Sequence, residues 1–321
     1  MSNTSRPPAL LSLKILLFLL AIKFDMNSKI SKQFTFEAIG TQFWIEIFDQ
    51  ITDEELKSTK GRLKLLSSVF NEQYSRFRPD SQISILNRDR VLHNPSVECR
   101  ALLAYGKELY LRSQGTFNIL TGHILEARGY DANYSFTASA DIDTLPVCNP
   151  LIDLTISESK ITLTCGNVDL GGYGKGYLVD RLADDLITQG IQHFLINGGG
   201  DMYATGDEAG KPITIYLEHP TVAGQYLIET TLLNQGFAAS SPFKRRWKSG
   251  DKTYHHIVAT TEVPEIATFV KATTATDADA FATVAILLPE DKLPTLATTE
   301  NLAIARFDPK TNQLWQTANF S

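Results

Sequence analysis

Thirteen residues in the middle of the chain, Val168 to Asp180, read VDLGGYGKGYLVD and constrain its local structure more than any other stretch. Gly171, Gly172, Gly174 and Gly176 surround Lys175, and a helix-forming run follows at once. Backbone without Cβ atoms can bring its N–H groups close to a charged ligand, and the helix N-terminus beyond it adds partial positive charge. That design suits a phosphate. Walker A requires Ser or Thr after its Gly-Lys pair, but Gly176 follows Lys175 and Asp169 stands where the leading glycine belongs. The dinucleotide fingerprint fails as well, because the glycines at 172, 174 and 176 alternate without its two-residue gap. A strand-to-helix turn that needs glycine for its geometry is the competing reading, and the loop alone leaves both open.

Length and charge narrow the classes. With 321 residues the chain can bury one large core or two. A net charge of −6 argues against nonspecific nucleic-acid binding, so an anionic ligand has to be held by local features. Cys99, Cys148 and Cys165 are odd in number and show no CxxC or zinc-ligand spacing. The expectation is neither a disulfide scaffold nor a zinc site, with Cys165 a small buried apolar residue. Leu10 to Ile22 is an apolar run with Lys14 inside it and Arg6 before it, too short for an ordinary transmembrane helix. Either residues 1–26 are a membrane tether, or they are an upstream extension and a cytoplasmic protein starts at Met26.

The rest of the chain reads as a mixture of strands and helices. Phe34 to Phe48 alternates around Gly40-Thr41, as two short strands or one bulged strand. Thr52 and Glu55 form a capping-box signature for a helix to about Phe70, and Ser96 opens another through Arg112, with Gly115 as its C-cap. Asn71 to Asn87 between them is polar, with Pro79-Asp80 at a turn. Gly115 to Phe136 has the composition of a pocket wall. Leu151 to Thr155 and Lys160 to Thr164 read as a hairpin, and Leu178, Leu182 and Leu186 as a helical stripe closed by Gly190. Strands are expected at Phe194 to Ile196, Ile213 to Leu217, Tyr226 to Leu233, Phe237 to Ala239 and Tyr254 to Val258. A helix after Thr276 and a closing hairpin, Ala303 to Phe307 with Leu314 to Gln316, complete the pattern. Strands outnumber helices and are separated mostly by turns, which predicts an α+β fold of antiparallel sheets with packed helices.

Three further stretches carry chemistry. In TTATDADAFAT, Thr273 to Thr283, a cap at Thr276 places Asp279 and Thr283 four residues apart on one helix face. A carboxylate beside a hydroxyl offers hard oxygen donors for Mg²⁺, but Asp279 can equally be an N3 capping acid and Thr283 a packed side chain. In YHHIVA, alternation along a strand lets only one of His255 and His256 face a given pocket, as acid, base or cation. The upstream Lys244, Arg245 and Arg246 either steer an anion or form a solvated loop. In NGGGD, Asn197 to Asp201, the glycines allow close backbone approach to a ligand or simply a tight turn, and Asp201 can accept from a ribose or amide donor.

Taken together and in this order, these stretches resemble the ApbE family of FAD:protein FMN transferases. The motifs are AIGTQF (Ala38 to Phe43), YSRFRPDSQISILN (Tyr74 to Asn87), VDLGGYGKGYLVD, NGGGD, FAASS (Phe237 to Ser241), HHI (His255 to Ile257) and DADAFAT (Asp277 to Thr283). The resemblance implies one T-fold-related catalytic unit over residues 27–321. It implies FAD as substrate, Mg²⁺ as cofactor, and transfer of FMN to a Thr or Ser hydroxyl in a DxxTGA[ST]-like motif of an acceptor flavoprotein, with release of AMP. By position, Asp279 and Thr283 correspond to magnesium ligands together with the Gly171 carbonyl. Gly171, Gly172, Lys175, Asp180, Ser81, Asn87, Gly199, Gly200, Asp201 and Ser240 correspond to FAD contacts. His256 corresponds to a histidine near the diphosphate. Attack by a neutral hydroxyl needs a group to take its proton, which makes His256 or a nearby carboxylate the expected base, with His256 and Asp279 as the catalytic residues.

Two stretches depart from the family pattern. HHIVATTEVPE lacks a DPxTG-like turn after the histidines, and GTFNILTGH, Gly115 to His123, stands where many members have FDP. The same scaffold also admits FAD pyrophosphatase activity, with water in place of the acceptor hydroxyl, or flavin binding without turnover.

Overall fold

A computed structural model describes residues 31–243, 245–259 and 262–320. The apolar run Leu10 to Ile22, the start at Met26 and Lys244 lie outside the described residues. Among the described residues, no helix is long and apolar enough to cross a membrane.

The chain builds one eight-stranded antiparallel sheet whose neighbours follow sequence order. The strands are β1 (Lys32–Ala38), β2 (Thr41–Ile47), β3 (Phe194–Gly198), β4 (Asp201–Ala204), β5 (Gln235–Ser240), β6 (Ala267–Ala272), β7 (Ala303–Asp308) and β8 (Gln313–Gln316). Ile39 and Gly40 have φ of 43° and 76°, the left-handed pair that a two-residue hairpin turn requires, so Phe34 to Phe48 forms two strands. Alternation along these strands feeds two cores on opposite faces. Phe43, Ile45, Ile196, Val270 and Ile304 face one side, while Leu195, Met202, Phe237, Phe269 and Phe307 face the other.

Five long helices cover the first face: α1 (Asp53–Tyr74), α2 (Gln82–Asp89), α3 (Val97–Arg112), α4 (Gly174–Thr188) and α5 (Ala275–Leu287). The Thr52–Glu55 capping box is present, and Ser96 caps α3. The ribbon of Ile213–Glu218 with Tyr226–Leu232 covers the second face together with Phe320. Helix α5 is Ala-rich and buried nearly all round, packed between α4 and the β5–β6 pair. Thr268 on β6 holds it by donating to the Ala282 carbonyl at 2.6 Å.

Several local expectations change. Helix α1 runs to Tyr74 rather than Phe70, and the polar segment after it contains α2, because Ser81 accepts from Ser84 N at 3.0 Å and so starts a helix. Helix α3 ends at Arg112 as expected, but its cap is Ser113; Gly115, at φ 81°, lies beyond it. Leu151 is helical, and the hairpin strand begins at Leu154. The strand expected from Tyr254 is Lys252–His255, paired with Arg246–Ser249. Strand β6 has no counterpart in the sequence reading. All six of its residues are buried, so it shows no alternation to read. Cys148 and Cys165 form a disulfide with Cα atoms 5.6 Å apart, which corrects the reading of Cys165 as a plain apolar residue. Their spacing carries no bonding signal, and only the folded chain brings residues 17 positions apart together.

Candidate active site

The glycine-rich stretch is both a turn and the opening of a helix. Helix α4 begins at Gly174, so Lys175 lies in its first turn rather than in a loop before it. A Cβ on Gly176 would lie 2.6 Å from the Ala275 carbonyl carbon and 2.9 Å from Asp279 Cβ. Glycine there lets α4 and α5 touch backbone to backbone. Gly172 has no room for a Cβ either, because the Phe117 ring edge is 2.5 Å away, whereas Gly174 would meet only Leu170 Cβ at 3.4 Å.

That close crossing assembles the charged centre. Lys175 Nζ lies 3.0 and 3.1 Å from the two Asp279 oxygens and 2.6 Å from Asp201 Oδ2, while Gly176 N donates to Asp279 Oδ2 at 3.0 Å. Asp201 is 2% exposed; it closes the β3–β4 hairpin, whose Gly199 and Gly200 turn at φ 73° and 107°. Gly200 N donates to Asn197 Oδ1 at 2.8 Å, which fixes that turn. The glycines of NGGGD are therefore explained by the hairpin, and Asp201 meets Lys175. Burial and the neighbouring Asp279 raise the Asp201 pKa, although Lys175 and Arg245 oppose them. Burial alone pulls Lys175 down, but the two carboxylates outweigh it and hold the ammonium charged.

Helix α5 is capped by Thr274, whose hydroxyl accepts from Asp277 N at 3.1 Å. The cap is therefore two residues earlier than Thr276, and Asp277, not Asp279, occupies the capping-acid position. Asp279 is free to face Lys175. Thr283 lies one turn further along the same face, with its hydroxyl 3.4 Å from Ser240 Oγ at the end of β5.

His255 ends its strand half-buried, and His256 follows it. Burial, then the charges of Arg245 and Lys175, push His256 down to about 3, so its imidazole is neutral at physiological pH. Among the described residues its buried Nδ1 has no hydrogen-bond partner. Arg245, from the basic run, thus acts on Lys175, Asp201 and His256 together.

The remaining expected site residues have structural partners. Ser81 caps α2, and Asn87 brackets Val168, donating to its carbonyl at 3.0 Å and accepting from its N–H at 2.7 Å. Asp180 turns onto the α5 N-terminus, accepting from Ala275 N and Thr276 N at 2.8 Å each; burial nevertheless raises its pKa to about 6. An ion pair and an aromatic cluster escaped the sequence reading. Arg76 pairs with Asp169, and Asp169 accepts from Gly171 N at 2.5 Å, so this pair sets the backbone of the glycine turn. In the sequence Arg76 is only one of two arginines in YSRFRP, and its burial shows in the fold alone. Phe77, Tyr130, Tyr134, Phe136 and Trp247 form an aromatic cluster in which Tyr130 stacks on Trp247 at 5.6 Å. Trp247 donates to the Arg128 carbonyl, and Arg128 donates to that of Ile257, so this wall grips the histidine-bearing segment.

The donor set fits a hard divalent cation. Two buried carboxylates share one ammonium, and among the described residues Asp201 Oδ2 has no well-aligned donor despite its closeness to Lys175. Asp279 lies one helical turn from the Thr283 hydroxyl, which is 3.4 Å from Ser240 Oγ, so carboxylate and hydroxyl oxygens of the kind Mg²⁺ takes are grouped there.

The ApbE family profile matches residues 39–306, a span that contains every one of these groups. The chain belongs to the ApbE family. The FAD:protein FMN transferase of Haemophilus influenzae is 27% identical over 290 residues, covering 84% of each chain. That of Vibrio cholerae is 23% identical over 270 residues, covering 79% of this chain and 80% of its own. Among solved structures, the ApbE protein of Thermotoga maritima superimposes with a TM-score of 0.78 at 18% identity, over 90% of this chain and 97% of its own. The flavin transferase ApbE of Vibrio cholerae gives 0.73 at 20% identity, over 90% and 98%. At these identities the structural likeness speaks to the fold, and the ApbE fold is the α+β architecture described above.

Proposed function

We propose that this ApbE protein is an FAD:protein FMN transferase that depends on Mg²⁺ and acts as one unit over residues 27–321. The observation that carries the reading is the Lys175–Asp201–Asp279 centre beside a neutral His256, reached from four separate parts of the chain. A Thr or Ser hydroxyl of the acceptor attacks the FMN phosphorus of FAD. A phosphoester forms, the diphosphate P–O bond breaks, and AMP leaves with the bridging oxygen.

Asp279, Thr283 and Ser240, with the Gly171 carbonyl, are the groups that would hold the magnesium ion. Bound there, the ion supplies charge neutralisation at the phosphoryl oxygens. Lys175 and Arg245 provide fixed positive charge for the diphosphate, which the two carboxylates would otherwise repel. His256 is neutral, and an anionic diphosphate bound beside Arg245 and Lys175 would offset the charges that lower its basicity, letting it take the acceptor hydroxyl proton. Gly172, Gly199 and Gly200 shape backbone that approaches the dinucleotide. Ser81, Asn87 and Asp180 act by bracing α2, Val168 and α5 around it. The acceptor is a flavoprotein with a DxxTGA[ST]-like sequence, and an apolar tether at residues 1–26 would place the reaction at a membrane surface.

The test is incubation with FAD, Mg²⁺ and a peptide carrying that sequence. Expected products are FMN-modified peptide and AMP in equal amounts. Free FMN with AMP would instead make the protein a pyrophosphatase, and bound FAD without products would make it a flavin carrier.

A further inference from the structure

On the sheet face away from this centre lies a second charged group with no assigned role. Along β6, Val270 and Ala272 belong to the helix-covered core and Phe269 to the opposite one. Alternation therefore sends Lys271 to the ribbon-covered side. It is 5% exposed, donates to Thr230 Oγ1 at 2.9 Å, and lies 5.2 Å from the Phe320 ring centroid. Among the described residues no carboxylate pairs with it, and burial lowers its pKa. An ammonium buried with only a hydroxyl and an aromatic ring as partners lacks the counter-charge that normally accompanies such burial.

Lys271 also lines a cavity of about 270 Å³ with Asn234, Gln235, Thr273, Asn301 and Asn319, and it is the only charged residue of the lining. Side-chain amides and hydroxyls supply N–H and O–H donors but no competing negative charge. The cavity has room for several waters, and so for a small anion.

We propose that this cavity binds a small oxyanion, phosphate- or carboxylate-bearing, with Lys271 as its charged contact. The anion replaces the missing counter-charge, and the amides take its remaining lone pairs. None of its lining residues belongs to the Lys175–Asp201–Asp279 centre, so the proposal does not rest on the flavin reading.

Calorimetric titration of the full chain with inorganic phosphate and, separately, with acetate tests it. Saturable binding of at least one anion is expected, weakened tenfold or more in Lys271→Met and in Gln235→Glu, which supplies an internal counter-charge, and retained in Lys175→Met. Phosphate alone binding names a phosphoryl ligand; acetate alone, or both, names a carboxylate-tolerant one. Absence of saturable binding for both anions, or wild-type affinity in Lys271→Met, or loss in Lys175→Met with retention in Gln235→Glu, would overturn the proposal.

Discussion

Substituting Gly176 and Gly174 by alanine, one at a time, isolates the helix crossing that builds the active centre. A Cβ at 176 lies 2.6 Å from the Ala275 carbonyl carbon, against 3.4 Å for ordinary contact, and nearer still to the carbonyl oxygen. Helices α4 and α5 must therefore separate by about 1 Å, since the obstacle is backbone and cannot rotate away. Overpacking of this kind costs about 1–3 kcal/mol, from which roughly 1 kcal/mol is recovered by placing Ala rather than Gly in a helix. The net loss corresponds to a fall in Tm of only a few degrees, at roughly 2–4 °C per kcal/mol for a chain of this size class. Function should suffer more. The same 1 Å stretches the 3.0 Å contacts of Gly176 N and Lys175 Nζ with Asp279, and misplacement on that scale costs on the order of 100-fold in rate. At Gly174 the new methyl meets only Leu170 Cβ at 3.4 Å, so Gly174→Ala should keep the rate and hold or slightly raise Tm. Melting curves and initial rates of FMN transfer to an acceptor peptide make the comparison. Equal rates for the two variants would show that close α4–α5 approach does not position Asp279.

Asp279→Ala should retain the fold, as judged by its melting curve, and lose Mn²⁺ binding in electron paramagnetic resonance along with metal-dependent turnover; wild-type turnover would refute the ligand assignment. His256 has a folded pKa depressed below its unfolded value of 6.5. Between pH 6.5 and about 3 the unfolded state binds the extra proton, so this group makes stability rise with pH by up to about 1.4 kcal/mol per pH unit. Its contribution is complete above pH 6.5 and lost as pH falls through that window. Chemical denaturation at several pH values should show a smaller slope in His256→Asn. Reduction of Cys148–Cys165, or Cys165→Ala, opens a loop of 17 residues and should cost about 3 kcal/mol by the chain-entropy estimate, read as a lower Tm. An unchanged Tm would mean the bridge adds nothing to stability.

Residue identity along the chain was enough for the motifs and for most local structure. The Thr52–Glu55 box, the Ser96 cap, the Leu178–Leu182–Leu186 stripe and the closing hairpin each depend on neighbours within a few residues, so their signals survive in one dimension. Strand β6 did not, because a strand buried on both faces loses its period. Helix α2 hid behind a polar composition whose buried side, Ile83 and Leu86, is only two residues wide.

Within the active centre the division follows the same rule. DADAFAT placed Asp279 and Thr283 on one face from helix geometry alone, and the antiparallel α+β class followed from turns that separate strands. Which glycine mattered, and why, required the partner helix: nothing near position 176 in sequence reveals that Ala275 backbone will press against it. The pairing of Lys175 with Asp201 and Asp279, the neutral state of His256 and the Cys148–Cys165 bond are likewise properties of distance and burial. Those quantities exist only once residues up to 104 positions apart are brought within 3 Å of one another.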